Sequence, residues 1–319
     1  VLSLIASGAL LVAGMAIVYE RMNWRDIAVV WANLDPKLVA IAVIVYWLQY
    51  PIISFRLHRV ILWTTGKPSA DAPSLGFVFK LASSAGFVAV AAPIGLAGDA
   101  AKIAALRVFG SLSTTDAARC ALFDRVVGVQ WICVFGLVAI PLQISAGVDG
   151  MIVIQLALFV ALIAGVGVLL LLPRILALVR HEFVSKLAQV FAGYRVILAP
   201  GRSAIQLVIS LLGLISAWGT LYLLLRAAGL TVDAWLVAGF VPLLQLVNGL
   251  PFLYMGWGGR ELAMVATLGA AGSLSASEAL AVSIAWGVVL VITGVVNGVF
   301  LLGDWQIARA DSVADNDQQ

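Results

Sequence analysis

The chain has 319 residues, 63% of them hydrophobic and 11% charged, with a formal net charge of +3. Soluble domains carry roughly a quarter charged residues, so the composition excludes a soluble enzyme or nucleic-acid-binding domain and marks an integral membrane protein. The mild positive balance suits anionic lipid headgroups; Cys120 and Cys133 lack a Cys-x-x-Cys spacing and His58 and His181 lie far apart, so no disulfide framework, metal site or cofactor is expected.

A helix needs about 20 apolar residues to cross the hydrocarbon core. That rule predicts spans near 1–19, 38–62, 74–93, 120–142, 151–173, 203–226, 234–251 and 279–303. The first is too long for a signal-peptide core and no small-residue cleavage site follows it, so it reads as a membrane helix. The linker 174–202 carries Arg174, Arg180, Lys186, Arg195 and Arg202 against Glu182, and positive charge places it in the cytoplasm. The expected fold is all-α and polytopic, one transmembrane domain over 1–308 with about eight membrane helices. A polar, disordered tail over 309–319 follows.

Two segments interrupt the pattern. "APIGLAGDAAKIAALRVFG" (92–110) and "LPFLYMGWGGRELAMVATLGAAG" (250–272) each follow an apolar span, open near a proline and pass through glycines. Each ends in an apolar run too short to cross. Irregular backbone at membrane depth is tolerated where protein buries it or a wet cavity faces it. Both are therefore expected to be re-entrant, a span followed by a break and a half-helix.

The two segments match at a constant offset. "GSLSTTDA" (110–117) falls on "GSLSASEA" (272–279), Leu106 on Leu268, Ala104 on Ala266 and Asp99 on Glu261. Aligning Pro93 with Pro251 requires a longer loop in the second copy. Ser113/Asp116 and Ser275/Glu278 have capping-box spacing at the start of the next helix. The repeat halves run roughly over 38–142 and 203–303. Inverted and parallel topologies divide the basic residues between the two sides in the same way, with most of them inside, so the charge rule does not choose between them. The inverted form, with both termini cytoplasmic, is preferred because inverted repeats build midplane cavities.

Ionisable groups at membrane depth are costly and usually have a task. Arg260 and Glu261 stand at the head of the second half-helix; Asp99 and Lys102 share a face at the head of the first. A glycine loop entering a helix leaves free N–H groups, an anion site. Adjacent Arg260 and Glu261 point about 100° apart around a helix, so each is expected to find another partner. Two simpler roles stand beside headgroup binding: Asp99 as an N-cap acid, and Arg260 as a structural lock on Glu261 or Asp99. Asp124 and Arg125 open the fourth span and can pair with these charges or mark the interface. Asn248, Gln245, Asn297 and Gln130 are membrane amides suited to interhelical hydrogen bonds. Arg56 and Arg59 read as an interfacial belt, and Trp24, Trp31, Trp235 and Trp305 as interface anchors.

"APIGLAGDAAKIAAL", "FDRVVGV" (123–129) and "LPFLYMGWGGRELAM" resemble three hallmark stretches of the lysylphosphatidylglycerol synthase transmembrane-region family, the flippase-like part of the multiple peptide resistance factor. The resemblance covers nearly the whole chain. It carries the family motifs onto Pro93, Gly95, Gly98 and Asp99, onto Asp124 and Arg125, and onto Pro251, Gly256, Gly258, Arg260 and Glu261. Lys102 stands where an arginine is usual, and a glycine precedes Arg260 where a small or β-branched residue is common.

The resemblance implies a lipid flippase of the bacterial inner membrane. The cytoplasmic synthase domain of some members has no counterpart in this sequence, so aminoacyl transfer is not expected and the chain reads as a non-enzyme. Arg260 and Lys102 are expected to hold a phosphate, with Asp99 and Glu261 coupling to transport. The expected partner is an anionic membrane lipid, with further copies in a homo-oligomer allowed and no nucleic acid. A small-solute or ion transporter and a membrane-embedded lipid-modifying enzyme, or its partner, are the alternatives.

Overall fold

In the computed structural model the residues described are 24–92, 96–145, 152–176, 191, 193–250 and 253–301, and every regular element among them is helical. The first predicted span, Pro93, Gly95, Pro251, most of the basic linker and the polar tail lie outside the described residues. The helices are α1 (Trp24–Ala32), α2 (Pro36–Trp47), α3 (Gln49–Thr65), α4 (Leu75–Ala91), α5 (Ala97–Val108), α6 (Thr114–Ser145) and α7 (Ile152–Leu176). They continue with α8 (Tyr194–Ile197), α9 (Pro200–Ala227), α10 (Ala234–Asn248), α11 (Gly259–Met264), a π-helical turn Val265–Gly269, and α12 (Ala276–Val296).

Four described stretches are long and apolar enough to cross a bilayer: Pro36–Thr65, Thr114–Ser145, Pro200–Ala227 and Ala276–Leu301. Their outward side chains are aliphatic, with Val138, Val208, Ile215 and Val295 all exposed. An apolar exterior is what a lipid solvent selects. The predicted span 38–62 is two helices meeting at Leu48. Pro51 has no N–H to offer the Trp47 carbonyl, one turn back, and the ladder opens there.

Helices α4 and α10 have 17 and 15 residues, and the segments that follow them are shorter still. Twelve-residue α5 is about 18 Å long, well under the roughly 30 Å of a hydrocarbon core. The two half-helices expected from sequence are therefore present. The caps that start the following helices are present too. Ser275 Oγ accepts from the Glu278 N–H at 3.2 Å, and Glu278 Oε2 accepts from the Ser275 N–H at 2.7 Å. Ser113 Oγ accepts from the Asp116 N–H at 3.1 Å.

Residues matched by the sequence offset occupy corresponding places in the packing. Leu106, Leu112, Ala117 and Cys120 are buried together with Leu57 and Val78 of α3 and α4. Their counterparts Leu268, Leu274, Ala279 and Val282 are buried together with Leu221 and Phe240 of α9 and α10. The halves interlock by exchange: α4 packs on α12, and α10 packs on α6. This exchange places the two broken segments against the helices that follow them and turns the ends of α5 and α10 toward one shared interior.

Candidate functional site: an ion-pair cluster on a central cavity

Helices α3, α5 and α6 bring five ionisable side chains together. Arg56 Nε donates to Asp124 Oδ1 at 2.7 Å. Lys102 Nζ lies 3.5 Å from Asp99 Oδ1 and 3.9 Å from Asp124 Oδ2. Arg125 donates from Nη1 to Asp99 Oδ2 and from Nη2 to the Gly249 carbonyl at 2.6 Å. Three cations face two carboxylates, which leaves a formal charge of +1. Asp124 is buried, whereas Asp99 and Arg125 are 21% and 28% exposed. The Asp99–Arg125 pair, which Arg125 links to the other half through Gly249, is thus the most accessible part of the cluster.

The cluster opens on a cavity of about 400 Å³. Ile52, Ile53, Val129, Ile132, Leu214 and Leu290 give it an aliphatic wall, and Tyr46, Gln49, Ser210, Gln245 and Asn248 add neutral polar groups. Gln49 Nε2, Ser210 Oγ and Asn248 Oδ1 are buried without a hydrogen-bond partner. Small residues clear the space. A Cβ at Gly98 would sit 2.9 Å from the Ala85 carbonyl, so α5 could not approach α4 as it does. At Gly128 a Cβ would meet the Arg56 guanidinium at 3.1 Å.

The second broken segment is closed. Arg260 is 0% exposed and Glu261 5%. Arg260 Nη2 donates to Glu261 Oε1 at 2.8 Å, Nε to Ser283 Oγ at 3.2 Å, and Nη1 to the Met255 carbonyl at 3.4 Å. Its guanidinium lies 5.1 Å from the Trp257 ring centroid. Glu261 Oε2 accepts from the Gly258 N–H at 2.6 Å, and Oε1 accepts from Ser283 Oγ at 3.1 Å. The expectation that neighbouring Arg260 and Glu261 seek separate partners is corrected. Gly256 and Gly258 have φ of 76° and 80°. The loop reaches the helix at an angle that lets both side chains fold onto one another. The chain's own carboxylate fills the free N–H that was expected to receive an anion.

Asp99, Lys102, Asp124, Arg125, Asn248 and Gly98 all line the cavity. Arg260, Glu261 and Gly258 do not, and Gly256 packs against Asn248 from behind, where a Cβ would collide with Asn248 Oδ1. Gly95 is outside the described residues. Arg56 was missed, having been read as an interfacial belt. The signal for it was Gly128, one turn beyond Asp124, which leaves room for a guanidinium from a neighbouring helix.

The offset exposes a substitution between the copies. Asp99 corresponds to Glu261, but Arg125 corresponds to Gly287 and Arg260 to Gly98. In the first copy the arginine comes from the following helix α6; in the second it comes from the half-helix itself. A Cβ at Gly287 would lie 2.5 Å from Arg260 Nη2. Each copy thus makes an acid–arginine pair with a glycine where the other copy carries its arginine. No curated protein gives a significant match to the sequence. The family model described as the lysylphosphatidylglycerol synthase TM region matches residues 2–298, and the chain belongs to that family.

Proposed function

We propose that the chain is a lipid flippase or lipid transporter, and not an enzyme, that receives the phosphate of an anionic lipid in the central cavity. One observation carries this: a cluster with a surplus cation opens on a cavity with an aliphatic wall. An amphiphile with one negative charge needs both. Arg125 and Lys102 contact the phosphate, Arg56 completes the positive field, and Asp99 and Asp124 hold these cations in place while the site is empty. Arrival of the phosphate replaces Asp99 on Arg125 and loosens the link to Gly249 on the other half. The halves act as inverted repeats with both termini cytoplasmic in a bacterial inner membrane. Arg260 and Glu261 move from the headgroup role to that of a lock.

The test is headgroup translocation in proteoliposomes that contain a labelled anionic phospholipid. Arg125→Gln removes a charged donor, an interaction of about 1.5–3 kcal/mol, and is expected to slow translocation roughly tenfold to a hundredfold. Unchanged lipid movement contradicts the assignment. Uptake of a soluble anion without lipid movement supports the small-solute transporter instead.

A further inference from the structure

Where α3 meets α9, a seam of polar groups leads out of the cavity. Two contacts fix how these helices face one another. A Cβ at Gly213 would lie 4.0 Å from Ile52 Cγ2, and the Arg202 guanidinium lies 5.8 Å from the Trp63 ring centroid. Trp63 stands eleven residues after Ile52, and Gly213 eleven after Arg202. The helices therefore run antiparallel in one register over about 16 Å, roughly half of a hydrocarbon core. That register sets Arg59 opposite Gln206. Arg56 and Ser210, one turn further along, line the cavity.

The seam is closed but poorly satisfied. Gln206 is 1% exposed and both its amide atoms lack a hydrogen-bond partner, as does buried Arg59 Nε. Arg59 lies 5.1 Å from the Phe55 ring centroid, and Arg202 donates to the Val196 carbonyl at 3.0 Å. No carboxylate among the described residues pairs with either arginine, in contrast to Arg56, Arg125 and Arg260. The unpaired atoms are shut off from solvent, so a ligand enters only if the helices part. Parting them is eased by the same atoms, because a buried polar group without a partner is destabilising and an open seam lets water or a ligand pair it. Beside the polar row, Ile205, Val208 and Leu212 of α9 are exposed, so the seam borders the bilayer. A headgroup moving along it keeps its acyl chains in lipid.

We infer that the α3–α9 seam is the lateral passage to the cavity. It parts to admit the phosphate of an anionic lipid, which meets Arg202 first, then Arg59 and Gln206, and then the cluster at Arg56. This rests on the phosphate reading above. Arg202 ends the basic linker, so in the proposed orientation the passage opens from the cytoplasmic leaflet.

The experiment follows labelled phosphatidylglycerol, and soluble glycerol phosphate beside it, in proteoliposomes with the seam free or tied. Ile52→Cys/Gly213→Cys, in a chain with Cys120→Ala and Cys133→Ala, sets two thiols across the seam for a disulfide or a mercuric bridge. Bridging is expected to slow lipid translocation about tenfold or more against the same sample unbridged, and a thiol reductant to restore it. Arg59→Gln/Arg202→Gln is expected to slow translocation roughly tenfold, while the purified protein keeps its bound lipid because the cavity cluster is intact. This variant decides alone if the cysteine pair impairs folding. Undiminished translocation in the bridged protein, or a wild-type rate in folded Arg59→Gln/Arg202→Gln, overturns the passage and leaves the cavity reading standing. A wild type that moves neither lipid nor glycerol phosphate overturns both. Glycerol phosphate uptake that the bridge stops, with no lipid movement, overturns the lipid source and keeps the passage.

Discussion

Arg125 and Arg260 do the same pairing job from different helices, and their surroundings separate their roles. Arg260 is enclosed with Glu261, and removing one partner of a buried ion pair costs about 3–5 kcal/mol. Arg260→Ala is therefore expected to lower the melting temperature sharply. A thiol-reactive dye reports this directly, because Cys120 and Cys133 are buried free thiols. Gly287→Ala, which pushes a methyl against Arg260 and Trp257, is expected to destabilise by about 1–3 kcal/mol through overpacking. Arg125→Gln should melt close to wild type, since surface-like pairs contribute little. The sequence showed that ionisable groups gather at both breaks. It did not show which break is open, because burial depends on what α12 and α6 place against each half-helix. Ser283 and Trp257 close one pair; cavity-lining Gly98 and Gly128 leave the other open.

The elements were legible where a local signal exists. Prolines and glycines marked the breaks after α4 and α10, and the serines with capping-box spacing, Ser113 and Ser275, cap α6 and α12. Ser275→Ala is expected to cost about 1 kcal/mol. Gly256→Ala should cost more, because φ of 76° disfavours a Cβ and Asn248 blocks it. Both are measurable by the same dye-based melting. The break at Leu48 was not read, although Pro51 signalled it, because the apolar run continues across it. Nor does any residue signal the π-helical turn Val265–Gly269, which depends on how α11 meets α12. Arg56 was misread because its partner Asp124 lies on a distant segment, and sequence distance hides such contacts.

Across the whole molecule, the two half-helix segments treat their ion pairs differently: one pair is enclosed and the other lines a cavity. The closed pair holds α11 on α12. The open pair reaches the other half through Gly249 and borders an interior space that joins charge to aliphatic surface. The proposed transport role calls for one rigid half and one that exchanges its salt bridges. The decisive measurement is the lipid content of the purified protein by mass spectrometry for wild type, Arg125→Gln and Arg260→Lys. The account predicts one enriched phosphate-bearing lipid in wild type, retained in Arg260→Lys and lost in Arg125→Gln. Loss in Arg260→Lys with retention in a folded Arg125→Gln would contradict it and return the headgroup to the second half-helix.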